Sequence, residues 1–286
     1  MGNMLRFELR RLLKKPSFYV CLGLCMAFVL LTVIASKMSF DSMADYYRRY
    51  AGEFDDSGTT LVEQFAEQFS PEMLALNASG NYIMVIVLAV FSGIFVCEDR
   101  VRGTIKNIYA RGYSRTSVFF AKYILTTAVA LTLSVLMTLA SYLSGVLIFA
   151  TSGFNAAPIH VKGFALLILG NLLSILAVNT FYFMLSELIG TTGFSIAANI
   201  FAPGFISTAF SVLFGLIMLF GQGDSYEHYQ WVSKVMEYWI YNLAMGGFSV
   251  NMELGDYIGH LIACAVYIAG FGVLSWVIVR KKEVKN

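Results

Sequence analysis

Six stretches of the chain contain no Asp, Glu, Lys or Arg: residues 16–36, 73–97, 123–161, 163–186, 188–223 and 257–279. A helix rises about 1.5 Å per residue, so roughly 20 apolar residues cross the hydrocarbon core of a bilayer. Each stretch is therefore long enough for one crossing. A hydrophobic content of 58% and a mean hydropathy of +0.69 exceed what a water-soluble domain needs. No apolar–polar alternation at period two runs through the stretches, which argues against a membrane barrel. The expected fold class is all-α: a polytopic membrane protein with six transmembrane helices in a single domain, residues 1–286. Spans are expected at about 17–36, 81–97, 119–150, 163–186, 194–221 and 257–279, with long outer loops at 37–80 and 222–256. The first stretch runs through LLTVIASKMSF into an acidic segment without a small-x-small cleavage site, so it reads as an anchor rather than a signal peptide.

Orientation follows from the basic residues. With the N-terminus inside, the inner segments hold 15 of the 20 Lys and Arg, and the outer segments hold 13 of the 18 acids. The formal net charge of +2 conceals that asymmetry, and both termini are expected to be cytoplasmic. The cell membrane is the expected location, the lipid bilayer the expected environment, and no nucleic-acid partner is expected.

The opening MLRFELRRLLKKPSF reads as an amphipathic helix lying in the interface, with Leu5, Leu9, Leu12 and Leu13 on one face, ending near Pro16. In the second outer loop Trp231, Val232, Val235, Met236 and Trp239 form a stripe at helical spacing, read as an anchor at the headgroup level or as a lid. Asn77-Ala78-Ser79 matches a glycosylation acceptor, a pattern short enough to arise by chance. The four cysteines, Cys21, Cys25, Cys97 and Cys264, fall in or at the ends of spans and read as buried small hydrophobes.

Span five carries Ser195, Asn199, Pro203, Ser207 and Ser211 at intervals of four, a stripe of polar or helix-bending residues. Polar groups at membrane depth face protein or water. The stripe is thus a helix–helix seam or the lining of a translocation path, and in a symmetric dimer it serves as dimer seam and path at once. His260 and Glu187 are the titratable residues within or at the ends of the spans, too few for a proton relay. A phosphate loop, HExxH and GxSxG are absent, and the three His residues are scattered, so no catalytic or metal-ligating residues are assigned.

Residues 97–122, CEDRVRGTIKNIYARGYSRTSVFFAK, place eight charges in 26 positions between two apolar runs. A positive-inside loop accounts for the bases. It does not account for Glu98-Asp99 at the membrane exit, or for a short helix bracketed by Gly103-Thr104 and Gly112, with Ile105, Ile108 and Tyr109 on one face. Those features suit docking on another cytoplasmic protein.

The same residues resemble the signature of type-2 ABC exporter permeases, in which an acid leads to Gly-Thr, a short helix, a Ser-Arg step and a Gly/Ala-Lys. Here the positions are Glu98, Gly103, Thr104, Ser114, Arg115, Ala121 and Lys122. FELRRLLKKPSFY is similar to that family's elbow helix. Gly112-Tyr113 stands where a proline is common. The resemblance implies a permease half, paired with an identical or paralogous subunit and resting its inner loop on a separate ATP-binding subunit. ATP and Mg would belong to that ATPase, so no cofactor and no enzyme activity are expected in this chain. Glu98 and Arg102 are the expected polar contacts to the ATPase, and Ile105, Ile108 and Tyr109 the docking face. The cargo is left open, with an antimicrobial peptide or a lipid-like compound as the classes considered. The alternatives are an immunity or sensory protein that binds a toxin without transport, and an ion-coupled carrier.

Overall fold

The structure, a computed structural model, describes residues 2–50, 70–152, 164–220, 231, 234–245, 248 and 252–281. Regular structure among these residues is helical: α1 (Gly2–Leu13), α2 (Pro16–Tyr50), α3 (Pro71–Ser79), α4 (Tyr82–Val101), α5 (Thr104–Ala110), α6 (Arg115–Ser152), α7 (Phe164–Ile189), α8 (Thr192–Phe220), α9 (Ile240–Ala244) and α10 (Leu254–Lys281). Among the described residues, six helical segments are long and apolar enough to cross a membrane: Pro16–Met43, Pro71–Val101, Arg115–Leu147, Phe164–Ile189, Thr192–Ile217 and Leu254–Lys281.

The helix ends follow local chemistry. Pro16 opens α2, where its missing N–H is needed by no preceding turn. Ser70 caps α3 through Met73 N at 3.2 Å, and Asn81 caps α4 through Ile83 N at 2.9 Å. The expected first outer loop is therefore partly ordered helix. Its start continues α2 without a break, and its end is α3, whose Ala75, Leu76 and Ala78 are buried. Ser79, the third residue of the acceptor pattern, is buried and shares a 2.8 Å hydrogen bond with Asn171 of α7. Residues 51–69 of the expected first outer loop, and residues 153–163 between the third and fourth spans, lie outside the described residues.

The centre of the bundle is α4, α6 and α7, with half or more of their apolar windows buried; α8 stands at the edge with 6%. One continuous apolar core joins Cys25 and Val29 of α2, Leu88 and Phe91 of α4, Leu133 of α6, Ile175 and Tyr182 of α7, and Cys264 of α10. All four cysteines are buried and free. In bilayer, burial between helices gains close packing rather than release of water, which makes glycine contacts informative. Gly93 of α4 meets Ile196 of α8 so closely that an added Cβ would lie 2.7 Å from Ile196 Cγ1.

The second outer loop departs from expectation. Residues 234–237 form one helical turn, which breaks at Tyr238–Trp239 before α9. Trp239 does not continue a stripe with Trp231. Its indole N–H donates to Pro203 O at 3.2 Å, and its ring meets Phe181 and Tyr267 edge-on at 6.4 and 6.3 Å. Trp231 is exposed, and Val232 lies outside the described residues. An indole has one donor to satisfy, and the Pro203 carbonyl of α8 supplies the acceptor.

Candidate functional site

At one end of the bundle the last turn of α4, the first turns of α6 and the whole of α1 converge on a buried ionic cluster. Asp99 is 1% exposed and Lys122 3%. Lys122 Nζ lies 2.7 Å from Asp99 Oδ2 and donates to Val96 O at 3.1 Å. Asp99 also pairs with Arg11 and accepts from Thr104 Oγ1 at 2.9 Å. Glu98 pairs with Lys15, with Arg11 at 3.5 Å and with Arg102 at 3.2 Å. Lys15 Nζ also sits 4.9 Å from the centre of the Phe95 ring. Beside this cluster Arg100 pairs with Glu187 and donates to the Glu187 carbonyl at 2.9 Å. The acidic pair at the membrane exit is thus bound within the chain. Burying charges this deep is costly, and pairing and hydrogen bonding offset the cost.

The loop geometry matches its glycine spacing. Gly103 (φ 65°) and Gly112 (φ 84°) take the left-handed conformation at the two ends of α5, a region that costs side-chain-bearing residues about 1–2 kcal/mol. Ser114 opens α6, accepting from Ser117 N at 3.2 Å through its hydroxyl and from Val118 N at 3.1 Å through its carbonyl. The Ser-Arg step is therefore a helix N-cap. Arg115 follows it, exposed on the first turn.

Part of the apolar face of α5 turns toward the bundle. Ile108 is buried with Met4, Val118 and Ala121, and Tyr109 packs on that cluster. Ile105 is half-buried. The side that faces away from the bundle carries Lys106, Asn107 and Arg111. Short helices gain their stability by covering apolar residues, and α1 was available to cover these. Glu98 likewise is mostly buried, while the Arg102 side chain is 69% exposed.

Within the chain, the first four members of the α8 stripe make contacts with neighbouring helices. Asn199 Nδ2 donates to Ala89 O at 3.1 Å and Ser186 Oγ at 3.0 Å. Ser195 Oγ lies 3.1 Å from Cys97 Sγ. Pro203 takes the Trp239 indole, and Ser207 Oγ donates to Asn242 Oδ1 at 3.3 Å. Ser211 is exposed and returns its hydroxyl to Ser207 O at 3.0 Å.

Sequence reading missed Glu8, Arg11, Lys15 and Arg100 as members of the site. One signal was present: Glu8 is the lone acid of α1 and shares a face with Met4 and Leu12, all three buried. That face, not the Leu9/Leu13 face, packs on the bundle; Leu9 and Leu13 stay exposed at 42% and 48%.

Over residues 24–285 the sequence matches a family described as protein of unknown function, DUF2705. The chain belongs to the DUF2705 family. The matched region takes in Glu98 to Lys122 and begins after α1. No curated protein and no solved structure matches the chain. Among the described residues no group of His, Cys, Asp and Glu is arranged to hold a metal ion. His260, 1% exposed, lies 3.3 Å from Glu237 and edge-on to Tyr238 and Phe248.

Glu8 is 0% exposed, and neither carboxyl oxygen has a hydrogen-bond donor. Burial raises its pKa above the ordinary 4.5, opposed by Lys122, Arg11 and Lys15 and reinforced by Asp99. A raised carboxyl binds its proton in the folded chain at a pH where the unfolded chain has released it. Its ionised form therefore weakens the fold above the raised pKa, and that deficit fades as pH falls through it toward 4.5. Glu8→Gln is expected to melt above the wild type at pH 8, with the difference shrinking on acidification to pH 5. A variant that melts lower at pH 8 would show instead that the paired charge is net stabilising.

Proposed function

We propose that the chain is the permease subunit of an ATP-driven exporter. Two copies, identical or paralogous, would form the path across a cell membrane, with both termini cytoplasmic. ATP and Mg would be held by a separate ATP-binding subunit. In this reading α1 is the elbow helix and α5 the coupling helix. The observation that supports it most is the bracing of α5. Thr104 at its start is bonded to Asp99, which pairs with Lys122 of α6 and Arg11 of α1. A push on α5 is thereby delivered to two spans and the elbow at once, because ionic and packed contacts resist shear where a solvated loop would yield. The contacts offered to the ATPase are Arg102, Lys106, Asn107 and Arg111, with Ile105 and Tyr109 at the margin. Basic side chains in this position suit an acidic groove.

The test is co-expression with a phosphate-loop ATPase encoded beside the gene. The ATPase is expected to co-purify with the wild-type chain and to be lost from the charge-reversed variant K106E/R111E. Both side chains are exposed, so the variant should retain its fold. Unchanged co-purification and export in the variant would overturn the reading. A chain that confers its phenotype without any ATPase would favour the immunity or sensory alternative.

A further inference from the structure

A groove of about 700 Å³ opens where α1 meets the start of α2 and the last turns of α4. Its lining is one-sided in charge: Arg10, Arg11, Lys14, Lys15 and Arg102 against Glu98 alone. Glu98 is already engaged by Lys15, Arg11 and Arg102, and Arg11 also by Asp99. Arg10 and Lys14 are exposed, and no acid among the described residues pairs with either. Arg10 lies on the last turn of α1 and Lys14 in the turn that follows it, and both line the same groove. Arg102 adds a third cation from the end of α4, its side chain 69% exposed. The surroundings are apolar. Phe7 lines the groove, and Leu13 and Val20 lie exposed close by in the chain.

We propose that this groove binds the phosphate headgroup of an anionic glycerophospholipid. Arg10, Lys14 and Arg102 meet the phosphate oxygens, while Phe7, Leu13 and Val20 meet the acyl chains. Guanidinium and ammonium groups are suited to phosphate oxygens, and basic cavities between membrane helices take acidic headgroups. Free phosphate shares the oxyanion chemistry. A lipid accounts for both halves of the site, since free phosphate leaves the exposed apolar side chains beside the cations without a partner. The site is independent of whether the chain transports anything.

The experiment uses the full chain purified in nonionic detergent, with phosphatidylglycerol or phosphatidylcholine added and bound lipid counted by native mass spectrometry. Wild-type protein is expected to retain phosphatidylglycerol in preference to phosphatidylcholine. In R10Q/K14Q the affinity for phosphatidylglycerol should fall by roughly fivefold for each cation removed. K37Q, which removes a distant exposed charge, should leave retention unchanged. Unaltered elution and helix content confirm that the double variant is folded. Equal retention of the two lipids by the wild type, or retention unaffected in R10Q/K14Q, would overturn the proposal. So would thermal stabilisation by millimolar inorganic phosphate equal to that by phosphatidylglycerol, which would assign the groove to the free anion.

Discussion

Replacing Lys122 by Met is expected to cost about 3–5 kcal/mol of stability, the largest effect of any single change at the site. The side chain is 4% exposed and its ammonium is shared by Asp99 Oδ2 at 2.7 Å and Val96 O at 3.1 Å. The methionine fits the same space but supplies no charge. Three carboxylates, Glu8, Glu98 and Asp99, would then face two partly buried bases, Arg11 and Lys15, with Arg102 reaching in from solvent. An uncompensated buried carboxylate is what makes breaking such a cluster expensive, even when the intact cluster adds little. Unfolding in mixed micelles under increasing denaturing detergent would measure the loss. Lys122 is also the strongest charge acting on Glu8, so the double variant K122M/E8Q is expected to recover about 1–2 kcal/mol relative to additivity. K122M within about 1 kcal/mol of wild type would mean that water or a relaxed Arg11 replaces the lysine.

Replacing Gly93 by Val is expected to cost about 3 kcal/mol and to loosen α8 from the bundle. Even a single Cβ would lie 2.7 Å from Ile196 Cγ1 and 3.1 Å from its backbone N. The Ile196 side chain can turn to another rotamer, but its backbone cannot move without shifting α8. The flanking contacts are tied to the same register. Ala89, one turn before Gly93, accepts from Asn199, and Cys97, one turn after, meets Ser195. A shift large enough for valine strands the Asn199 amide at membrane depth. Gly93→Ala should cost about 1 kcal/mol, because one methyl needs only a small displacement. The same detergent titration, read beside hydrogen exchange of α8, checks both. Equal stability of the valine variant would show that α8 packs adaptively along this seam.

Both results bear on what sequence reading reaches. The length of each apolar stretch was legible, while α2 runs on to Tyr50, past the expected end of the first span at 36. The expected third span at 119–150 is α6, Arg115–Ser152, and the expected fourth at 163–186 is α7, Phe164–Ile189. Gly103, Gly112 and Ser114 were legible as punctuation because their roles are local: two backbone conformations and one capping oxygen. The partners of Glu98 and Asp99 were not. Arg11 and Lys15 stand 88 and 83 residues away from the acids they pair with, and Arg100 stands 87 from Glu187. No periodicity reports such distances. The Ile108 face shows the same limit, since an apolar stripe says that something covers it and not whether that cover is a partner protein or the chain's own α1.

By itself, the sequence determined that this chain is helical, that six of its helices are long and apolar enough to cross a membrane, and where the short helix between the second and third begins and ends. Hydrophobicity, helical rise and glycine conformation act over a few residues, so they can be read in order along the chain. Only the tertiary structure decided which face of α1 is buried, which helices Ser195 and Asn199 of α8 meet, and that Glu98 and Asp99 are held by residues of α1, α6 and the link after α1. Those outcomes depend on which distant surfaces meet. They leave Arg10, Lys14, Arg102, Lys106 and Arg111 as the exposed cations on which the two proposals rest.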